Sequence, residues 1–291
     1  LYATPVPGKV KIDGKLEDWD LSGQIMICVV DETAEMQSAR FAMMYDKKAL
    51  YVTAIVRDPS PMMNRHDPKV EPDRGWDADA CQIYLCTDPS LGYPIAKYGQ
   101  DGEVPGLMDM YLWYYTDTKE ACLAAYAGMK FTPLHPEWDK KGAIPSGKFQ
   151  GAYVKAEDGR GFTLEYRIPW ETVGAKRPLK AGDLTAGLVQ FCWSDATGLK
   201  TAGGSAWAYD VMCRPGFPWQ DSGCWGKFIF SEKGKLSKEL VEEGLPPAKP
   251  LPLTYEFTLP EDGDATIQLF SPSGELARTL VGAGGRRAGR N

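Results

Sequence analysis

Along much of this chain apolar residues recur at every second position, the period of a strand with one face in a core. In residues 49–58, Leu50, Val52, Ala54 and Val56 share one parity, and Tyr51, Thr53, Ile55 and Arg57 share the other. Residues 39–45 precede this run across Asp46-Lys47-Lys48, which predicts a hairpin with neither face strongly polar. In residues 79–86, Cys81, Ile83 and Leu85 fall on one side of an extended backbone, and Gln82, Tyr84 and Cys86 on the other. Residues 107–115 predict a strand with aromatics on both faces. A second hairpin is predicted at 149–156 and 161–168, joined through Glu157-Asp158-Gly159-Arg160, with Phe162, Leu164, Tyr166 and Ile168 on one face. Residues 9–12, 186–194 and 224–230 add further strands, the first ending in an Asp13-Gly14 turn. Short strands at regular spacing predict an all-β, antiparallel two-sheet sandwich of immunoglobulin-like architecture.

Between the strands, residues 59–74 have no period and predict a loop that delivers Trp76 to the start of the 79–86 strand. A tryptophan there either caps the end of the sheet core or offers its face as a stacking platform. Residues 116–148 contain one strand-like run, 121–131, and otherwise read as a long surface insertion. After 194 comes a glycine-rich loop, and 236–244 carry a short helical signature. Residues 245–252 hold four prolines in eight and predict a stiff linker. The predicted organisation is a sandwich domain at 1–232, a helix and linker at 233–253, and an incomplete second β unit at 254–291.

Composition narrows the function. The chain has 291 residues, 43% of them hydrophobic and 25% charged, and a formal net charge of −6. That balance, with no basic cluster interleaved with aromatics, argues against nucleic acid and anionic membranes as partners. No run approaches the roughly 18 apolar residues of a spanning helix, so no membrane insertion is expected. The sequence begins at Leu1, which fits a processed or trimmed product. No nucleophile elbow, zinc-protease motif or phosphate loop occurs, and two histidines leave little scope for general-base chemistry, so a non-catalytic chain is expected. Seven cysteines cannot all pair within the chain. Cys81 and Cys86 point to opposite faces of one strand and cannot bond each other without distortion, whereas Cys213 and Cys224 are close enough in sequence to close a loop around Trp219.

Five segments in order resemble a family 9 carbohydrate-binding module, a member of the DOMON-like sandwich group. They are Ile12-Asp13-Gly14 with Trp19, Leu50-Tyr51-Val52 running to Val56-Arg57-Asp58-Pro59, Trp76 with Asp79, Gln82, Ile83 and Tyr84, Leu164-Glu165-Tyr166-Arg167-Ile168-Pro169-Trp170, and Phe217-Pro218-Trp219-Gln220-Asp221 with Trp225-Gly226. The resemblance covers about residues 9–230. It implies a sugar stacked between Trp76 and Trp219, with Gln82, Tyr84, Tyr111 and Asp221 as rim contacts. Where the family tends to place a carboxylate and an arginine, this chain has Gln82 and Tyr111, so neutral groups replace a charged pair. The family's structural calcium would have Asp58, Asp77 and Asp79 as candidate ligands, and no other cofactor is expected.

The resemblance further implies a secreted or cell-surface bacterial protein, a polysaccharide or oligosaccharide partner, and attachment to other domains of a longer polypeptide. DOMON-like sandwiches also host b-type haem. Met62, Met63 and His66 on one loop, with Met108 and Met110 on a nearby strand, are the ligands that alternative would use. A structural or adhesive sandwich without sugar binding is the third reading. The tail, from Tyr255 and Leu259-Pro260-Glu261 through Ser273-Gly274-Glu275-Leu276 to Ala288-Gly289, resembles the start of a FlgD-like immunoglobulin-type domain.

Overall fold

The alternating runs do form strands, and they pack as two sheets face to face. The computed structural model describes residues 1–28, 33–95, 106–128, 131–208 and 222–243, with six short strands between 258 and 290. The strands in chain order are β1 (Tyr2–Pro5), β2 (Ile25–Cys28), β3 (Ser38–Tyr45), β4 (Ala49–Arg57), β5 (Ala80–Cys86), β6 (Leu107–Tyr115), β7 (Glu120–Ala127), β8 (Thr132–Pro133), β9 (Gln150–Lys155), β10 (Gly161–Pro169), β11 (Leu184–Ser194), β12 (Thr201–Ala208) and β13 (Gly226–Phe230). One sheet runs β8-β7-β6-β5-β11-β13-β1 with β12 also on β11, and the other runs β1-β3-β4-β10-β9 with β2 also on β3.

β1 belongs to both sheets. Tyr2 and Ala3 pair with Ile229 and Phe230, then Thr4 and Pro5 pair with Met44 and Tyr45, both in parallel. Every other pairing in the sandwich is antiparallel. The core between the sheets takes one parity from each strand: Phe41, Val52, Leu164 and Ile168 from one side, Leu85, Met110, Leu112 and Phe191 from the other. Phe41 and Phe191 meet edge to face with centroids 6.2 Å apart. Such burial, at about 25 cal/mol per Å² of apolar surface, is what drives the two sheets together.

Three expected features differ; one is the glycine-rich loop expected after 194, which contains β12, paired with β11. Residues 9–12 are not a strand: the Lys11 N–H goes to the Asp18 carboxylate at 2.8 Å, and the Asp13 and Gly14 amides that follow donate to Glu165. Trp19 Nε1 donates to the same Glu165 carboxylate. The Ile12-Asp13-Gly14 turn and Trp19 are thus pinned to the middle of β10, and Val10, Ile12, Leu16 and Leu21 lie over Met44 and Tyr51 on the outer face of the second sheet. The third difference is in residues 116–148. Glu120–Ala127 forms a full sheet strand paired with β6 along its whole length, with Leu123 and Ala125 in the core, and the excursion from the sandwich is confined to the stretch that follows.

The chain divides into two units, Leu1–Ala248 and Lys249–Asn291. The first contains the short helix α1 (Lys238–Glu243). The second holds three antiparallel strand pairs: β14 (Thr258–Leu259) with β19 (Gly289–Arg290), β15 (Gly263–Asp264) with β18 (Gly285–Arg286), and β16 (Ile267–Phe270) with β17 (Leu276–Val281).

Candidate functional site

The outer face of the first sheet carries the polar chemistry. Strand register lines up Ala124, Tyr111, Gln82 and Gln190 as neighbours across β7, β6, β5 and β11. The next row is Tyr126, Asp109, Tyr84 and Leu188. Cross-strand neighbours lie about 5 Å apart at Cβ, so side chains of the two rows reach one another.

Asp109 is at the centre. Gln82 Nε2 lies 3.1 Å from each of its oxygens, and the same nitrogen donates to the Tyr84 hydroxyl at 2.6 Å. The Tyr111 hydroxyl lies beside the same carboxyl but makes no hydrogen bond of regular geometry and is buried. Asp109 is 2% exposed, and burial pushes its carboxyl up to about 8, against the pull of Gln82, Tyr111 and Tyr84. It is therefore mostly protonated at neutral pH.

Aromatic and apolar groups border this polar strip on both sides. On one, Tyr84 packs against Trp225 with centroids 5.4 Å apart, next to Ile95, Leu107 and Leu188. On the other, Tyr111 packs against Tyr126 at 5.2 Å, with Trp113 and Cys122 beyond them.

Trp76 lies on this second side, half-buried against the Tyr111, Trp113 and Tyr126 group, with the Arg74 guanidinium 5.6 Å from its ring centre. The loop before it is built to hold it. A 3₁₀ turn at Pro72–Arg74 ends in Gly75, which lies flat on the Trp113 ring; a Cβ there would meet the ring at 2.8 Å. Asn64 Nδ2 donates to the Gly75 and Asp79 carbonyls at 2.8 and 3.2 Å, and its Oδ1 accepts from His66 N–H. Gly75→Ala is expected to displace Trp76 and quench or shift its fluorescence while leaving far-UV circular dichroism unchanged; an unaltered emission spectrum would show that the loop does not depend on this contact.

Of the residues singled out in the sequence, Gln82, Tyr84 and Tyr111 converge on one carboxyl, and Trp76 borders them. They are buried within the face rather than arranged along an exposed rim. Trp219, Asp221 and Cys213 lie outside the described residues. Asp109 and Gln190 were not singled out, although an acid in the run Leu107-Met108-Asp109-Met110 was the available signal, since acids are seldom fully buried without a task.

The three acids considered for calcium do not meet at a point. Asp77 accepts from Arg74 and from Thr201 N–H. Asp79 accepts from Met63 and Ser194 N–H at 2.7 and 2.6 Å. Asp58 accepts from Ser60 and faces Asp79, and burial raises both carboxyls. Asp58 and Asp79 thus form a buried acid pair with Asp77 turned away, and no group of three metal-ligating side chains occurs among the described residues. Of the side chains considered for haem, His66 has Nδ1 at 2.9 Å from Glu71 and Nε2 at 3.2 Å from the Leu199 carbonyl, Met62, Met108 and Met110 fill the sandwich core, and Met63 is half-buried outside it. Cys81 is in that core and Cys86 is on the opposite face, as their parity requires.

No family sequence profile matches the chain, and no curated protein matches it. Among solved structures, it is similar to a family 9 carbohydrate-binding module from Caldicellulosiruptor kristjanssonii in complex with cellotriose, at 17% identity and TM-score 0.49, covering 86% of this chain and 99% of that one. It is similar also to a module of that family from the same organism in complex with glucose, at 18% identity and TM-score 0.48, covering 82% and 98%. A protein from Bacteroides uniformis is similar at 12% identity and TM-score 0.49, covering 79% and 98%.

Proposed function

We propose that the chain is a non-catalytic carbohydrate-binding module whose ligand is held on the outer face of the first sheet, between Trp76 and Trp219, with Asp109, Gln82, Tyr84 and Tyr111 addressing its hydroxyls. The observation that carries this reading is the Asp109 cluster. Two strand rows bring one carboxyl, one amide and two phenols to a single point, flanked by aromatic groups. Sugars ask for that combination: planar donors and acceptors for hydroxyls, and aromatic faces for C–H-rich surfaces. Asp109 supplies the acid that Gln82 lacks, one strand away, so the site keeps a carboxyl in spite of the glutamine. Hydrogen bonds within the cluster hold these groups until a ligand exchanges them for its own.

On this reading the protein needs no cofactor, acts outside the cell, and serves as an accessory carbohydrate-binding part, with the C-terminal strand pairs belonging to an immunoglobulin-type domain. The test is affinity electrophoresis and calorimetry against glucose, cello-oligosaccharides and a panel of other glycans. Trp76→Ala and Trp219→Ala are each expected to weaken binding by about tenfold with the melting temperature retained, since an aromatic contact is worth up to about 1.5 kcal/mol beyond its buried area. Unchanged affinity in both variants would refute the stacking assignment.

A further inference from the structure

Among the described residues, the outer face of the second sheet is covered at one end only. There the N-terminal segment lies over Met44 and Tyr51. At the other end the face opens into a cleft of about 940 Å³. Register places its floor in adjacent positions: Met26 opposite Arg40, Arg40 opposite Ile55, and Ile55 opposite Thr163, with Ser38 opposite Arg57 one row on.

Arg40 is the unusual member. It is partly buried in the middle of the floor and makes no hydrogen bond or ion pair among the described residues. Its neighbours do not neutralise it. Arg57 adds like charge and is itself paired with Asp158 at 2.7 Å, and Arg160 lines the same cleft. Of the acids nearby, Glu35 is on the exposed wall and forms no ion pair with Arg40, while the Asp58 carboxyl is directed to Ser60 and Asp79. Burial, then Arg57, lowers the Arg40 pKa, as expected of a cation with no acid beside it among the described residues. Among the described residues no acid is paired with it, although the chain as a whole carries a net charge of −6.

We propose that this cleft is a second binding site, separate from the Asp109 face, for a small carboxylate-bearing ligand of the size of an acidic sugar. The Arg40 guanidinium would take the carboxylate through two parallel N–H donors, a geometry that suits arginine and not lysine. Ser38 and Thr163 offer hydroxyls beside it, and Met26 and Ile55 offer apolar surface for the body of the ligand. The volume is within the range of small-molecule sites. This inference does not depend on the sugar-binding reading above, because the two faces are on opposite sides of the sandwich.

The experiment is calorimetric titration of the full chain with glucuronate, acetate, sulfate and glucose at low and moderate salt. Binding of glucuronate, weaker binding of acetate, no competition by glucose and a loss of at least tenfold in Arg40→Met supports the proposal, and Arg40→Lys should recover only part of the affinity. Sulfate binding as tightly as glucuronate would overturn the carboxylate assignment. Arg40→Met is also expected to melt at the same or a higher temperature than the parent without ligand, since an uncompensated cation is removed. Asp31 and Glu32 adjoin the cleft in sequence and lie outside the described residues. Should the parent fail to bind glucuronate, or Asp31→Asn/Glu32→Gln bind it where the parent does not, the site serves the protein's own acids and the proposal fails.

Discussion

Glu165→Ala is expected to destabilise the sandwich by about 3–5 kcal/mol, the range for removing a buried charged partner from several donors. Three donors converge on this carboxylate: the Asp13 and Gly14 amides and the Trp19 indole. Glu165 itself is fully buried on β10. Its loss strands the buried Gly14 amide and Trp19 indole, and also frees the segment that covers Met44 and Tyr51, so apolar area is exposed in addition. At roughly 2–4 °C per kcal/mol for a domain of this size, the melting temperature should fall by about 6–20 °C. Glu165→Gln keeps one acceptor oxygen and the side-chain volume, and should recover part of the loss. A melting temperature within 2 °C of the parent for Glu165→Ala would mean that the N-terminal turn is held by packing alone.

The second large effect is a pH dependence set by Asp109. An unfolded aspartate ionises near pH 4, whereas the folded Asp109 does so at about 8. Between those values the folded protein retains a proton that the unfolded chain has released. Its stability contribution is complete below about pH 4 and is lost as pH rises to about 8, at up to about 1.4 kcal/mol per pH unit. Asp109→Asn cannot ionise and should remove that slope. Asp58 and Asp79 are also raised, by burial, and contribute a slope of the same sign to parent and variant alike. The diagnostic quantity is therefore the difference: Asp109→Asn should gain on the parent steadily between pH 5 and 8 in chemical denaturation. Parallel curves across that range would place the Asp109 carboxyl in water.

The strands that were legible in the sequence are those whose neighbours demand alternation. β4, β5, β6 and β10 have a core on one face, so parity wrote itself into Leu50 to Val56 and Phe162 to Ile168. β1 and β12 were not legible, for different reasons. β1 is four residues beside prolines and is a strand only because two sheets share it. β12 contains Gly203 and Gly204, which read as a loop, but it forms because the eleven-residue β11 offers an edge for backbone pairing that needs no particular side chains. The Ile12-Asp13-Gly14 motif read as a local turn because its partner, Glu165, is 151 residues from Gly14.

The site was half visible for the same reason. Gln82, Tyr84 and Tyr111 could be picked out from parity and resemblance, but only register shows that Asp109 stands opposite Tyr84 and so within reach of Gln82. A glutamine at position 82 reads as a charge lost, and only the strand pair shows that the Asp109 carboxyl lies 3.1 Å from its amide.

The central claim is that this carboxyl and its neighbours are a saccharide site, and the most direct test is glycan binding by Asp109→Asn and Gln82→Ala alongside the parent, measured by affinity electrophoresis at pH 7 on every polysaccharide the parent retains. The expected result is retardation of the parent and a loss of at least tenfold in apparent affinity in both variants, with circular dichroism unchanged. Equal retardation of all three proteins would contradict the account and remove the outer face of the first sheet as the site of binding.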